Sequence, residues 1–165
     1  MTTSLTTQQV EFRGAMSQLS AAVNVVTSDG PGGRVGLTIS AVCSVTDRPP
    51  TLLVCVNQSS YTHDVFRQNR AVCINVLGAG HEDVALDFAG ATGATMDERF
   101  ARNGWSEHRG QPVLADAAAS IIGRVVSETV HGSHTVMFVE VDEILRSETS
   151  GGLVYYQRTF HPLPT

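Results

Sequence analysis

Residues 35–57 read VGLTISAVCSVTDRPPTLLVCVN: a strand with one polar face, a proline turn, and then an almost wholly apolar strand. Leu37, Ile39, Ala41, Cys43 and Val45 fall on one side of an extended chain, and Thr38, Ser40, Ser44 and Thr46 on the other. That period of two marks a half-buried strand. Its polar face carries small hydroxyls where a solvent-facing strand normally carries Lys, Glu or Arg, and this leaves room for a flat ligand with polar edges. Asp47-Arg48-Pro49-Pro50 then turns the chain, because paired prolines remove two backbone donors and favour turn geometry. Residues 51–56 return as a continuous apolar run, the pattern of a strand buried on both faces.

At 165 residues the chain is expected to form a single domain over residues 8–165, preceded by a flexible arm at residues 1–7. Charged residues make up 16% of it and the net charge is −5, so no basic surface points to nucleic acid. A hydrophobic fraction of 42% with so little charge fits a surface partly covered by a second subunit. The three cysteines, Cys43, Cys55 and Cys73, each lie in an apolar strand-like run and are expected to be reduced core residues. No apolar stretch approaches the roughly 20 residues of a membrane helix, and MTTSLTTQQ lacks the features of a signal peptide. No membrane association and a cytoplasmic location are expected.

Phe12, Ala15, Met16 and Leu19 repeat at helical spacing, which predicts an amphipathic helix from Gln8 to about Leu19 packed on the domain. Residues 23–27 make a first strand, and Ser28-Asp29-Gly30-Pro31-Gly32-Gly33 a turn into the strand quoted above, suggesting a β-meander. Gln58-Ser59-Ser60-Tyr61-Thr62-His63-Asp64 precedes a short helix over residues 65–69. Its hydroxyls can cap that helix or, together with helix N–H groups, hold a phosphate. Residues 71–77 form a buried strand whose one polar residue, Asn75, needs an internal partner, either backbone or ligand. Helices are predicted from His81 to Ala89 and from Met96 to Arg102, with a surface loop at residues 104–112 whose Trp105 plugs the core. Strands follow at about residues 118–130 and 136–144, joined by a tight turn through Gly132-Ser133-His134, and residues 153–156 are expected to close the sheet.

Several chemistries are excluded. Gly78-Ala79-Gly80-His81-Glu82-Asp83 begins like a dinucleotide fingerprint, but Asp83 stands at the third glycine position and the acidic pair would repel a pyrophosphate. There is no GxSxG elbow and no paired-carboxylate signature. His131 and His134, with Glu128 as the nearby carboxylate, do not make a metal-ligand set. A small antiparallel barrel with a hydroxyl-rich strand, a serine-rich turn and a loop histidine suits a flavin. Its ring needs an apolar slot with polar donors at one edge, and its phosphate needs N–H and hydroxyl groups.

The chain resembles the short-chain flavin reductases in residues 12–16, 20–27, 36–46 and 53–57, in Gly132-Ser133-His134-Thr135, and in the closing GLVYYQRTFHP of residues 152–162. The resemblance implies a mainly β fold with flanking helices, an antiparallel split β-barrel of the FMN-binding kind, and a homodimer. It implies that Thr38, Ser40 and Ala41 lie along the isoalloxazine, that Cys55, Val56 and Asn57 lie near the ring or ribityl chain, and that Ser59, Ser60 and Thr62 approach the phosphate. Many relatives carry Asn or Thr at Ser40 and Arg at Gln58, so the hold on the phosphate is expected to be weaker here. By itself His134 reads first as a turn residue bonded to backbone; the resemblance instead implies that it corresponds to a histidine beside the nicotinamide. The implied activity is reduction of FMN or FAD by NADH, or by NADPH, with reduced flavin passed to the oxygenase of a two-component aromatic monooxygenase. No residue is expected to serve as acid, base or nucleophile. Two alternatives stand beside it: a flavin-binding module that stores electrons or senses redox state, and a barrel oxidising pyridoxamine phosphate. The second would need basic phosphate ligands that residues 59–62 lack.

Overall fold

The computed structural model describes residues 4–148 and 151–165. Helix α1 (Thr7–Met16) opens on a capping box: Gln9 N donates to the Thr6 hydroxyl at 3.2 Å, and Thr6 N donates to the Gln9 side chain at 2.9 Å. It starts one residue before the expected position and stops short of Leu19. The expected packing on the domain is not found. No residue of α1 is buried and Phe12 is 63% exposed, because no described part of this chain lies against the apolar face that the periodicity marks.

Next come β1 (Ala21–Ala22), β2 (Asn24–Ser28) and β3 (Val35–Ile39). The strand predicted to run unbroken to Thr46 ends at Ile39, and β4 (Val42–Asp47) begins after Ser40-Ala41. Strand β5 (Pro50–Asn57), helix α2 (Thr62–Asn69) and strand β6 (Ala71–Val76) follow, then helices α3 (Glu82–Phe88) and α4 (Met96–Ala101). Strands β7 (Trp105–His108) and β8 (Gln111–Leu114) form a hairpin where a surface loop was expected. Its Trp105 does cover the core, packing edge-on against Phe88 and Phe100 with ring centroids 5.2 Å from each. The long strands β9 (Ala119–His131) and β10 (His134–Arg146) meet at Gly132-Ser133, where Gly132 has φ 57°. Such a left-handed position costs a glycine nothing. Strands β11 (Gly152–Tyr156) and β12 (Thr159–Leu163) end the chain.

Seven strands make one antiparallel sheet in the order β3-β2-β6-β9-β10-β5-β4. This is not the expected meander: the hairpins β2–β3, β4–β5 and β9–β10 are interleaved, with β6 inserted between β2 and β9. The two edge strands, β3 and β4, are separated in the chain by Ser40 and Ala41 alone. Ile39 and Val42 are three steps of the chain apart, at most about 11 Å, so the sheet curls to bring its edges to one corner. No ladder pairs β3 with β4, and the curled sheet is therefore not a closed barrel. Nor do residues 153–156 close it. Strand β11 pairs with β1 and β12 in a separate three-stranded sheet, stitched to the first where Val23 N donates to Leu153 O and Leu153 N to Leu77 O.

One core lies inside the curl, around Val54, Val56, Phe66, Ile74, Met137 and Val139, and a second joins Val25, Leu77, Phe88 and Leu153 between the sheets. Strand β5 contributes Leu52, Val54 and Val56 to the interior while Leu53 and Cys55 stay half-buried, so the expected burial on both faces holds for one face only. Of the cysteines expected in the core, Cys73 is buried, Cys55 is half-buried and Cys43 is exposed on edge strand β4. Burial pushes the Cys73 thiol up to about 12. Asn75 finds its partners within the protein, donating to Val25 O and the Thr27 hydroxyl and accepting from Leu114 N and the Ser120 hydroxyl.

Candidate functional site

Four of the predicted site residues, Thr38, Ser40, Ala41 and Cys55, meet at the corner of Ser40-Ala41. Ala41 O accepts from Cys55 N at 3.1 Å, which places the end of the hydroxyl-bearing strand against β5. Thr38 sits on β3 and donates its hydroxyl to Ala85 O of α3 at 2.7 Å. Strand and helix approach this closely because residue 36 is glycine: a Cβ there would come within 2.5 Å of the Phe88 ring. Ser40 and Ala41 are exposed, and Ser40 faces a groove of about 280 Å³ that Thr38, Leu86, Ala89, Tyr155 and Phe160 also line. Tyr155 and Phe160 pack with ring centroids 5.1 Å apart. Sequence reasoning assigned neither aromatic residue to the site. Their position at the groove depends on β11 and β12 forming their own sheet, although the segment GLVYYQRTF already held the aromatic signal.

Two residues beyond Cys55, Asn57 is the register partner of His134 across the β5–β10 ladder. Both are exposed. The Ser133 hydroxyl and His134 Nδ1 are 2.9 Å apart, and Gln58 N donates to Ser133 O at 2.9 Å, so the hairpin tip is tied to the start of the serine turn. Within that turn the Asn57 carboxamide oxygen accepts from both the amide and the hydroxyl of Ser59, each at 2.9 Å. Ser60 and Thr62 share a 2.8 Å hydroxyl–hydroxyl bond. The N-cap of α2 is Tyr61, which makes no side-chain cap bond, and the first helix amide, Thr62 N, donates instead to the Ser60 hydroxyl at 3.4 Å, so one serine of the turn does serve the helix start.

The residues differ in what they can offer a ligand. Ser40, Ala41, Asn57, Ser59 and His134 are exposed, and Cys55 and Ser60 are half-buried. Val56 and Thr62 are buried, Val56 in the core, so Val56 can meet a ligand through its backbone alone. Burial raises the Cys55 thiol, which keeps it neutral beside the corner. At the far side of α3, His81 Nδ1 accepts from Gly78 N at 3.0 Å, and burial lowers its affinity for a proton against the opposing pull of Asp116. The amide of Gly78, at the start of the glycine turn, is thus satisfied by the turn's own histidine.

Small side chains at a sheet corner, an aromatic wall on one side and a turn of hydroxyls on the other fit a planar ring carrying a phosphate-bearing chain. Comparison with known proteins gives the family. A family model described as "Flavin reductase like domain" matches residues 16–164. The chain is 49% identical, over 94% of its length and 92% of the relative, to the 4-hydroxyphenylacetate 3-monooxygenase reductase component of Pseudomonas aeruginosa. It is 48% identical, over 94% of its length and 86% of the relative, to FMN reductase (NADH) RutF of Variovorax paradoxus. Among solved structures, the NADH:FAD oxidoreductase of Streptomyces globisporus in complex with NAD and FAD fragments superposes with a TM-score of 0.87 at 25% identity, over 98% of this chain and 97% of that one. The flavin reductase component of a bacterial two-component tryptophan halogenase gives 0.87 at 27% identity, over 94% and 98%. Family match, identity and fold coincide over nearly the whole length, and the chain belongs to the flavin reductase family.

Proposed function

We propose that this protein is an NADH-dependent reductase of FMN or FAD, of the kind that serves 4-hydroxyphenylacetate 3-monooxygenase, and that it hands the reduced flavin to a partner oxygenase. The observation that carries this reading is the juxtaposition of two corners of the same sheet. Ser40, Ala41 and Cys55 make a ledge of small groups, and one step along β5 lies the Asn57–His134 pair at the mouth of the β9–β10 hairpin.

Bound flavin supplies an N5 that accepts hydride from C4 of NADH, chemistry that calls for alignment of two rings rather than a protein nucleophile. Thr38, Ser40 and Ala41 border the ring, with Tyr155 and Phe160 as the apolar wall of its groove. Cys55, the Val56 backbone and Asn57 follow the ribityl chain. Ser59 and Ser60 form the phosphate turn, backed by the buried Thr62 hydroxyl bonded to Ser60, and without a cation at Gln58 the flavin exchanges readily. His134 orients the nicotinamide through a hydrogen bond and moves no proton.

Residues 8–165 act as one domain, and the working form is a homodimer. Supporting this are Phe12, Met16 and Leu19 at the N-terminal end together with Val126 and Val130 on β9, all large apolar side chains left exposed in one chain. No helix among the described residues is long and apolar enough to cross a membrane. We place the enzyme in the cytoplasm, beside its reductant and its oxygenase. Loss of NADH absorbance on addition of FMN or FAD to purified protein tests the proposal. Flavin binding without NADH turnover would instead identify an electron-storing module.

A further inference from the structure

Helix α2 carries a buried histidine that the proposed chemistry does not use. His63 Nε2 lies 2.9 Å from the hydroxyl of Thr135, a residue 72 positions away in sequence. His63 is 6% exposed and Thr135 is 1% exposed. On its other side, His63 Nδ1 lies 3.0 Å from the Asp64 carboxylate. A carboxylate there holds the proton on Nδ1, which leaves Nε2 to accept from the Thr135 hydroxyl. In the neutral ring the bond therefore runs from the Thr135 hydroxyl to His63 Nε2.

What the bond joins is as specific as its geometry. His63 N donates to Ser60 O and Ser60 N donates to Asn57 O, each at 3.0 Å, so His63 is the last member of a bonded turn that contains Ser59 and Ser60. Thr135 is the residue after His134 and the register partner of Val56. A core contact between α2 and β10 needs only an apolar pair, whereas two polar side chains buried together lose hydration that one hydrogen bond only offsets. The polar pair does something an apolar pair cannot: it fixes the relative position of the serine turn and the histidine strand.

We infer that the His63–Thr135 hydrogen bond is a positioning device that transmits occupancy of the serine turn by a flavin phosphate to His134, so that a phosphorylated flavin improves the seat of the nicotinamide. The inference rests on the reading above, with phosphate at Ser59 and Ser60 and nicotinamide at His134. Coupling through such a contact is reciprocal between the two ligands.

Steady-state NADH oxidation by the full chain is measured with FMN and with riboflavin, which lacks the phosphate, each extrapolated to saturating flavin. The KM for NADH is expected to be at least about fivefold lower with FMN, the lower end of ordinary coupling between sites. Thr135→Val, which keeps the shape and removes the hydroxyl, is expected to bring the two KM values together, and Thr135→Ser to part them again. Equal KM values in the unaltered protein, or an undiminished gap in Thr135→Val, would overturn the inference. Should Thr135→Val fail to fold by circular dichroism, His63→Leu is read in the same way. No NADH oxidation with either flavin sinks the functional reading itself, a result distinct from equal KM values.

Discussion

The amide of Cys55 donates to the carbonyl of Ala41 at 3.1 Å, and this bond marks the point where the chain has passed from one edge of the seven-stranded sheet to the other. One edge strand ends at Ile39 and the opposite edge begins at Val42. Because the passage takes two residues, the sheet cannot lie flat, and Ala41 of the linking pair is held against Cys55 of β5. The proposed flavin ledge is a by-product of how this sheet turns its corner.

Replacing His134 by Ala should raise the KM for NADH about tenfold, the equivalent of one hydrogen bond to a bound ligand, while the Kd for FMN changes little. Steady-state kinetics and flavin-fluorescence titration check the two halves. Unchanged kinetics would remove His134 from the nicotinamide site.

Gly36→Ala puts a methyl group into the Phe88 ring, and Thr38, two residues on, is bonded to Ala85 of the same helix. Overpacking of this kind costs about 1–3 kcal/mol. The expected result is a lower Tm together with weaker flavin binding, since helix and hydroxyl strand must part together. A variant with normal flavin affinity would show that the two move independently.

Alkylation should separate the three thiols. Cys43 is exposed, Cys55 is half-buried with its thiol raised by burial, and Cys73 is buried with its thiol at about 12. Only the thiolate reacts. Iodoacetamide at mildly alkaline pH should label Cys43 first, Cys55 slowly and Cys73 not at all in the native state, as read by mass spectrometry. Added FMN should slow Cys55 further and leave Cys43 untouched if the flavin lies along β5.

Cys73 also makes stability depend on alkali. Its thiol titrates at about 12 in the folded chain against the ordinary value of 9.0, so between those values the folded state keeps a proton that the unfolded state has lost. Stability is thus fully present below 9 and falls as pH rises through this window, by up to about 1.4 kcal/mol per unit. Melting curves of the protein and of Cys73→Ala between pH 8 and about 11 check this, and the decline should be shallower in the variant.

Asn75→Leu leaves the amide of Leu114 and the hydroxyl of Ser120 without their shared acceptor inside the protein. A buried group stripped of its partner costs about 1–3 kcal/mol. Chemical denaturation should show a loss of that order, with flavin reduction retained in the molecules that remain folded.

Alternation of small hydroxyls with apolar residues in 35–46, the proline turn, the Gly132 hairpin and the run 71–77 determined by themselves that this is a mainly antiparallel β protein. These are local facts, fixed by side-chain period and backbone stereochemistry. The sequence also marked Asn75 as needing a partner, without saying which. Tertiary structure alone decided that the opening strand breaks at Ser40, since a two-residue corner and a continuous strand have the same alternating pattern. It likewise decided that β11 and β12 leave the main sheet, bringing Tyr155 and Phe160 to the ledge, and that α1 lies uncovered in one chain although its periodicity promised a buried face. Periodicity reports which side of an element is apolar. What covers that side is set by contacts between residues far apart in sequence, such as Ala41 with Cys55 and His63 with Thr135, and these exist only once the chain is folded.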